Sequence, residues 1–136
     1  EQALAEAFRV LRPGGFLQFS IMHPCFDTPH RRKVHGPDGR ACAIEIGRYF
    51  EDPEGEVLEW TFGAAPPEAR EGLQPFRVPI FRRIMSEWLN TLVDVGFVFE
   101  RMGEPTVDDA TVAQMPCMED HQLVPYFLHL RGRKPR

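Results

Sequence analysis

The sequence predicts an α/β domain that carries an antiparallel β insertion, on three observations. An amphipathic run ends in a Pro-Gly-Gly corner and passes straight into a run that is apolar on every side, in "FRVLRPGGFLQFSIMHPCF". Further on, "RRIMSEWLNTLVDVGF" repeats apolar residues at three and four and is followed by two more strand-like runs. Between these units the texture changes to turns and two-residue alternation, the mark of hairpins.

Leu4, Ala7, Phe8 and Leu11 fall on one face of a helix that opens at Glu1 with no cap, turn or initiator Met before it. The chain is therefore expected to begin partway through a larger unit. Gly14 and Gly15 supply the backbone freedom of a helix C-terminus, and Pro13 cannot continue a helix, so the helix is expected to stop near Arg12. Phe16, Leu17, Phe19, Ile21 and Met22 then put apolar groups on both faces of a strand, the pattern of a parallel strand buried between two layers. Such a strand expects a parallel neighbour upstream, reached through the helix.

From Asp27 to Arg40 the chain is polar and turn-rich, and Gly36-Pro37-Asp38-Gly39 is a turn in which Pro presets φ and Gly accepts a positive one. Cys42, Ile44 and Ile46 alternate with Ala41, Ala43 and Glu45; Leu58, Trp60 and Phe62 alternate with Val57, Glu59 and Thr61. Both runs read as antiparallel strands with one apolar face. They interrupt the α/β order just past the carboxyl end of a strand, where ligands of open α/β sheets bind. "GAAPPEAREGLQPF" reads as a loop with one helical turn around Glu68 to Glu71, and "FRVPIF" as a short strand confined to an edge by Pro79. Met85, Trp88, Leu89, Leu92 and Val93 mark a helix from about Ile84 to Val95, with Gly96 placed as its C-terminal cap. "FVFERM" is a strand, "EPTVDDATVAQMPCMED" an excursion with a helical turn near Val107 to Gln114, and "YFLHLRGRK" a final strand.

The 136 residues carry a formal net charge of −4 and suit one domain, 1–136, with residues 27–75 as its insertion and loop. The basic clusters Arg31, Arg32, Lys33 and Arg131, Arg133, Lys134, Arg136 are too short to argue for nucleic acid and read as solvated surface. No apolar run matches a bilayer crossing and no signal-peptide pattern opens the chain, so no membrane partner and a cytoplasmic location are expected. Cys25, Cys42 and Cys117 are odd in number and widely spaced, as reduced thiols would be. His23, Cys25, His30 and His35 match no metal-ligand spacing, so no metal is expected. There is no G-x-G-x-x-G and no Walker loop.

Helix, "LRPGG", buried strand, insertion, "SEWLNTLVDVGF", strand, excursion and strand together resemble the carboxyl-terminal half of a class I S-adenosylmethionine-dependent methyltransferase of the small-molecule type. "FRVLRPGGFLQFSIMHP" is similar to the helix, corner and fifth strand of that family, and "FRRIMSEWLNTLVDVGFVFERMGEP" to its last helix and sixth strand, with Arg83 in the family's Arg position. "YFLHLRGRKP" is similar to its seventh strand. The resemblance implies a partial Rossmann-like sheet of strands five, seven and six, the seventh antiparallel between the others. It implies S-adenosylmethionine as the cofactor of a parent enzyme, with the glycine-rich motif and the ribose-holding acid upstream of Glu1. No cofactor-binding residue is then assigned to this chain, none of the cofactor is expected on it alone, and it is expected to be inactive by itself.

What remains is the side that shapes a pocket for a small-molecule acceptor. His23, at the exit of the first strand, either accepts a proton from the acceptor or simply ends the strand, hydrogen-bonded and fixed by Pro24. Tyr49, Trp60 and Phe62 either wall the pocket or belong to the core. Arg83 either clamps a substrate carboxylate or phosphate or pairs with an acid of the insertion, and His129 reads as structural. Two other classes remain open, a non-catalytic binding or oligomerisation module and a different α/β enzyme. The open edge expected on the first strand, with the helix face bearing Leu4, Phe8 and Leu11, predicts self-association, most simply as a two-fold dimer.

Overall fold

A computed structural model describes residues 1–51, 55–61, 68 and 71–136. Helix α1, Gln2–Val10, ends at Leu11 in an extended conformation, and the last carbonyls of its final turn are taken up from far along the chain. Lys134 Nζ donates to the carbonyls of Phe8 and Leu11, at 2.7 and 2.9 Å. A cation at a helix C-terminus satisfies orphan carbonyls and the helix dipole together. The corner after it is tight, with Gly15 N donating to Arg12 O at 2.8 Å.

Strand β1, Phe16–Met22, pairs antiparallel with β7, Phe127–Arg133, which also pairs antiparallel with β6, Val98–Gly103. The order in space is β1-β7-β6, so β1 and β6 run parallel to each other with β7 reversed between them. Leu130 sits opposite both Phe19 and Met102. A bulge between Phe99 and Arg101 sets Glu100 apart from the ladder, where its carboxylate pairs with Arg131 and Arg133.

Helix α2, Met85–Val95, ends as the spacing predicts, at Gly96 with φ 108°. Leu4, Leu92, Phe97, Leu128 and Leu130 form the buried core, and Phe8 packs edge-on to Phe97 with ring centroids 4.9 Å apart. On the face carrying Leu4, Phe8 and Leu11, Leu4 is buried and the other two are partly buried within the chain. A correction concerns β1. Its residues alternate between partly buried and exposed, so one face packs on the helices and the other is open. The reason is that α1 and α2 lie together on one side of the sheet. On the open side Phe16 is covered by the Arg131 guanidinium, 3.8 Å from the ring centroid.

The insertion holds a strand in the segment that reads as polar and turn-rich. The polar segment His30–His35 is itself a strand, β2, and forms the hairpin with β3, Ala41–Gly47. Strand β4, Glu56–Trp60, pairs with β5, Phe76–Ile80, where Pro79 lies opposite Val57 in a two-stranded ribbon that leaves every Pro at an edge. Phe62 and, within the turn expected around Glu68 to Glu71, residues 69 and 70 lie outside the described residues. Helix α3, Asp109–Gln114, is capped by Asp108, whose carboxylate accepts from Thr111 N at 2.8 Å. A 3₁₀ helix, Pro116–Gln122, follows and brings Asp120 under the β2–β3 hairpin. Arg31 Nη2 lies 2.5 Å and Lys33 Nζ 2.8 Å from the two Asp120 oxygens, and Arg31 Nε also donates to Phe26 O. Burial pushes the Asp120 carboxyl upward, but these two cations outweigh it and hold the group below its usual range.

Candidate functional site

At the carboxyl end of β1 the chain leaves the sheet through His23-Pro24 and turns back on itself, and a cleft of about 290 Å³ opens there. One wall is the end of β1 and the following turn, with Ile21, Met22, Asp27 and Thr28. The second is Tyr49 to Glu51 beyond β3, and the third runs from Ile80 through Arg82 and Arg83 into the first turn of α2, with Glu87 and Trp88. This is the position at which open α/β sheets bind ligands, outside a carboxyl strand end.

Of the residues singled out from the sequence, Tyr49 and Arg83 line this cleft. The Tyr49 hydroxyl accepts a hydrogen bond from Met85 N at 2.9 Å, closing an N–H of α2 that no side-chain cap serves, and it keeps its own proton to donate. Arg83 is exposed and makes no hydrogen bond or ion pair among the described residues. Trp60 lies elsewhere, half exposed on β4 beside Phe76, and Phe62 lies outside the described residues.

His23 sits beneath the cleft rather than in it, with 2% of its surface exposed. Nε2 is 2.9 Å from Glu104 Oε1, and Nδ1 accepts from Cys25 N at 3.2 Å. An imidazole whose Nδ1 lone pair is taken by an amide carries its proton on Nε2 when neutral, so the Glu104 contact is a donated hydrogen bond. The same residue closes the turn through its backbone: His23 N donates to Tyr126 O at 2.9 Å, and its carbonyl accepts from Phe26 N and Asp27 N at 2.9 and 2.8 Å. His129 is exposed on the open face of β7.

That turn delivers a residue the sequence reading did not single out. Asp27 is half-buried in the wall of the cleft, and burial raises its carboxyl above the usual range, with Arg82 and Arg31 partly offsetting the rise. Arg82 is drawn away by Glu56, its Nη1 3.1 Å from Oε2, and its buried Nε has no acceptor among the described residues. The available signal for Asp27 was positional, an acid a few residues beyond a strand's carboxyl end.

The described glycines with positive φ occupy the corner after α1, hairpin and loop turns, and the α2 cap, and none forms a phosphate- or nucleoside-binding turn between strand and helix. Among the described residues no helix is long and apolar enough to cross a membrane, and no three His, Cys, Asp or Glu side chains gather as metal ligands.

The chain has an α/β fold in which two helices pack on one side of a three-stranded sheet, and solved structures share it. The chain is similar to an S-adenosylmethionine-dependent methyltransferase from Mesorhizobium loti, with a TM-score of 0.64 and 22% identity over 97% of this chain and 54% of that one. It is similar also to a protein from Listeria monocytogenes described as an S-adenosylmethionine-dependent methyltransferase, with a TM-score of 0.68 and 20% identity over 98% of this chain and 53% of that one. The chain spans about half the length of each, and at these identities the likeness is one of fold. By sequence it matches no protein-family model and no curated protein.

Proposed function

We propose that the chain is the acceptor-substrate side of an S-adenosylmethionine-dependent methyltransferase acting on a small molecule, its β1, β7 and β6 corresponding to the fifth, seventh and sixth strands of that fold. The observation that carries this reading is the cleft at the carboxyl end of β1, on a framework that follows two methyltransferase folds over nearly all of its length. In such an enzyme the protein mainly holds two reactants in line and receives a proton where one is released. The cofactor would supply an electrophilic methyl group and would be held by residues outside this chain. Tyr49 and Arg83 are assigned to acceptor binding, and Trp60 to the β4 arm beyond it. His23 is assigned a positioning role, because both of its ring nitrogens are engaged and it holds the turn that carries Asp27.

Calorimetry with S-adenosylmethionine on this chain, and on a protein that carries it together with an upstream cofactor-binding segment, tests the reading. The longer protein should bind and this chain should bind no tighter than about millimolar, since residual apolar contacts are worth only about 4 kcal/mol. Micromolar binding by this chain alone would refute the division of labour. Binding by neither would favour the alternative, a non-catalytic binding or oligomerisation module, for which the open face and edge of β1 speak.

A further inference from the structure

We propose that the cleft takes a small amphiphilic zwitterion, a molecule whose amine meets the Asp27 carboxyl and whose anionic group meets the Arg83 guanidinium. This rests on the reading of the cleft as an acceptor site and names the class of acceptor.

The charges of the cleft divide into those already satisfied and those left open. Glu51 is engaged by Arg48, and Arg82 by Glu56 through Nη1, although its buried Nε has no acceptor among the described residues. Arg83 has no partner among the described residues, and neither does the Asp27 carboxyl, which feels Arg82 and Arg31 only through space. A carboxyl partly removed from water without a donor is costly, and a ligand that brings N–H groups relieves that cost. Glu87, exposed on the α2 wall, adds negative charge on the amine's side of the balance. Its neighbour Tyr49 adds a free O–H donor.

Between the charged groups the cleft is apolar, formed by Ile21, Met22, Phe50, Phe81 and Trp88. This suits an aliphatic or aromatic body. A space of about 290 Å³ holds roughly ten waters at ~30 Å³ each, which limits the occupant to a small molecule.

Three probes of one skeleton separate the charges: L-phenylalanine with both groups, phenethylamine with the amine alone, and 3-phenylpropionate with the carboxylate alone. In an NMR titration of the full 136-residue chain, L-phenylalanine should bind about tenfold more tightly than either relative. Asp27→Asn should erase its advantage over 3-phenylpropionate only, and Arg83→Gln its advantage over phenethylamine only. Both substitutions remove groups without partners, so the amide spectrum should otherwise be that of the parent chain. Equal affinity for the three probes, no shift with any of them up to their solubility limits, or an advantage untouched by Asp27→Asn would overturn the proposal. Methyl transfer to a neutral alcohol or phenol, by a protein carrying this chain with its cofactor-binding part, would also overturn it while leaving the methyltransferase reading intact. Charge-selective binding with no methyl transfer to any acceptor would do the reverse.

Discussion

Asp120→Ala should be among the most damaging single changes in the chain, because it strips one carboxylate from two cations. The Asp120 side chain is 3% exposed, against 16% for Arg31 and 30% for Lys33. Removing one partner of a buried ion pair typically costs about 3–5 kcal/mol, and the partial exposure of both cations places this case near about 3. With a urea m-value of about 2 kcal/mol/M, the unfolding midpoint should fall by about 1.5 M. The pH dependence provides an internal check. The folded-state carboxyl is depressed below its ordinary value of 3.8, so its contribution is present above that value and is lost as pH falls through the folded value. The gap between the parent chain and Asp120→Asn, measured in urea, should be full near neutral pH and should close progressively below pH 3.8. A loss for Asp120→Ala of under about 1 kcal/mol, the scale of a surface pair, or a gap for Asp120→Asn as wide in acid as at neutrality, would refute this account.

Asp27 should behave oppositely: its carboxyl is raised by burial, so its favourable state is the protonated one, present below the unfolded value and lost as pH rises through the folded value. Asp27→Asn should therefore raise the urea midpoint at neutral pH, with the gain vanishing below pH 3.8. Gly96→Ala should cost about 1–2 kcal/mol by thermal or urea unfolding, since φ is 108° and the added Cβ would lie 3.1 Å from Phe8 Cζ. If the chain self-associates through the open face of β1, sedimentation should show a dimer that Gln18→Lys with Ser20→Lys disperses, whereas Leu17→Lys or Phe19→Lys, on the helix-covered face, should unfold it. A well-folded monomer at high concentration would defeat the dimer.

Local chemistry made the two long helices and the corners legible. Gly96 ends α2 because the helix needs a left-handed residue there, and the apolar spacing from Met85 to Val93 points at one surface. The strand β1 was legible as a strand but not in its burial. Apolar side chains on both faces state what each face is suited to touch, not which layer is present, and here the helices lie on one side only. Strand β2 was hidden by its charges. "HRRKVH" reads as solvated loop until Arg31 and Lys33 meet Asp120, 89 residues from Arg31 along the chain. Tyr49 and Arg83 stood out because both types carry recognisable binding chemistry, and both line the cleft, while Trp60 read the same way and lies on β4 outside it. Asp27 was missed because an acid after a strand is ordinary until its burial and lack of partners are known.

Two aspartates therefore define what the insertion does. Arg31 reaches both, binding Asp120 directly and acting on Asp27 only through its field. Asp120 receives two cations and fixes the hairpin to the 3₁₀ helix, so its burial is compensated within the fold. Among the described residues Asp27 receives neither a cation nor a donor in contact, although Arg82 and Arg31 are near enough to influence it. A chain that gives one buried acid two cations and leaves another at a cleft wall without a contacting partner, among the described residues, departs there from local stability. Such departures concentrate at sites where a ligand completes the structure. The His23 turn gives that departure its geometry, since its carbonyl holds Asp27 N and its ring is anchored by Glu104. Loosening the anchor with Glu104→Gln, which preserves an acceptor for the ring, should leave stability within about 0.5 kcal/mol, because Glu104 is itself exposed.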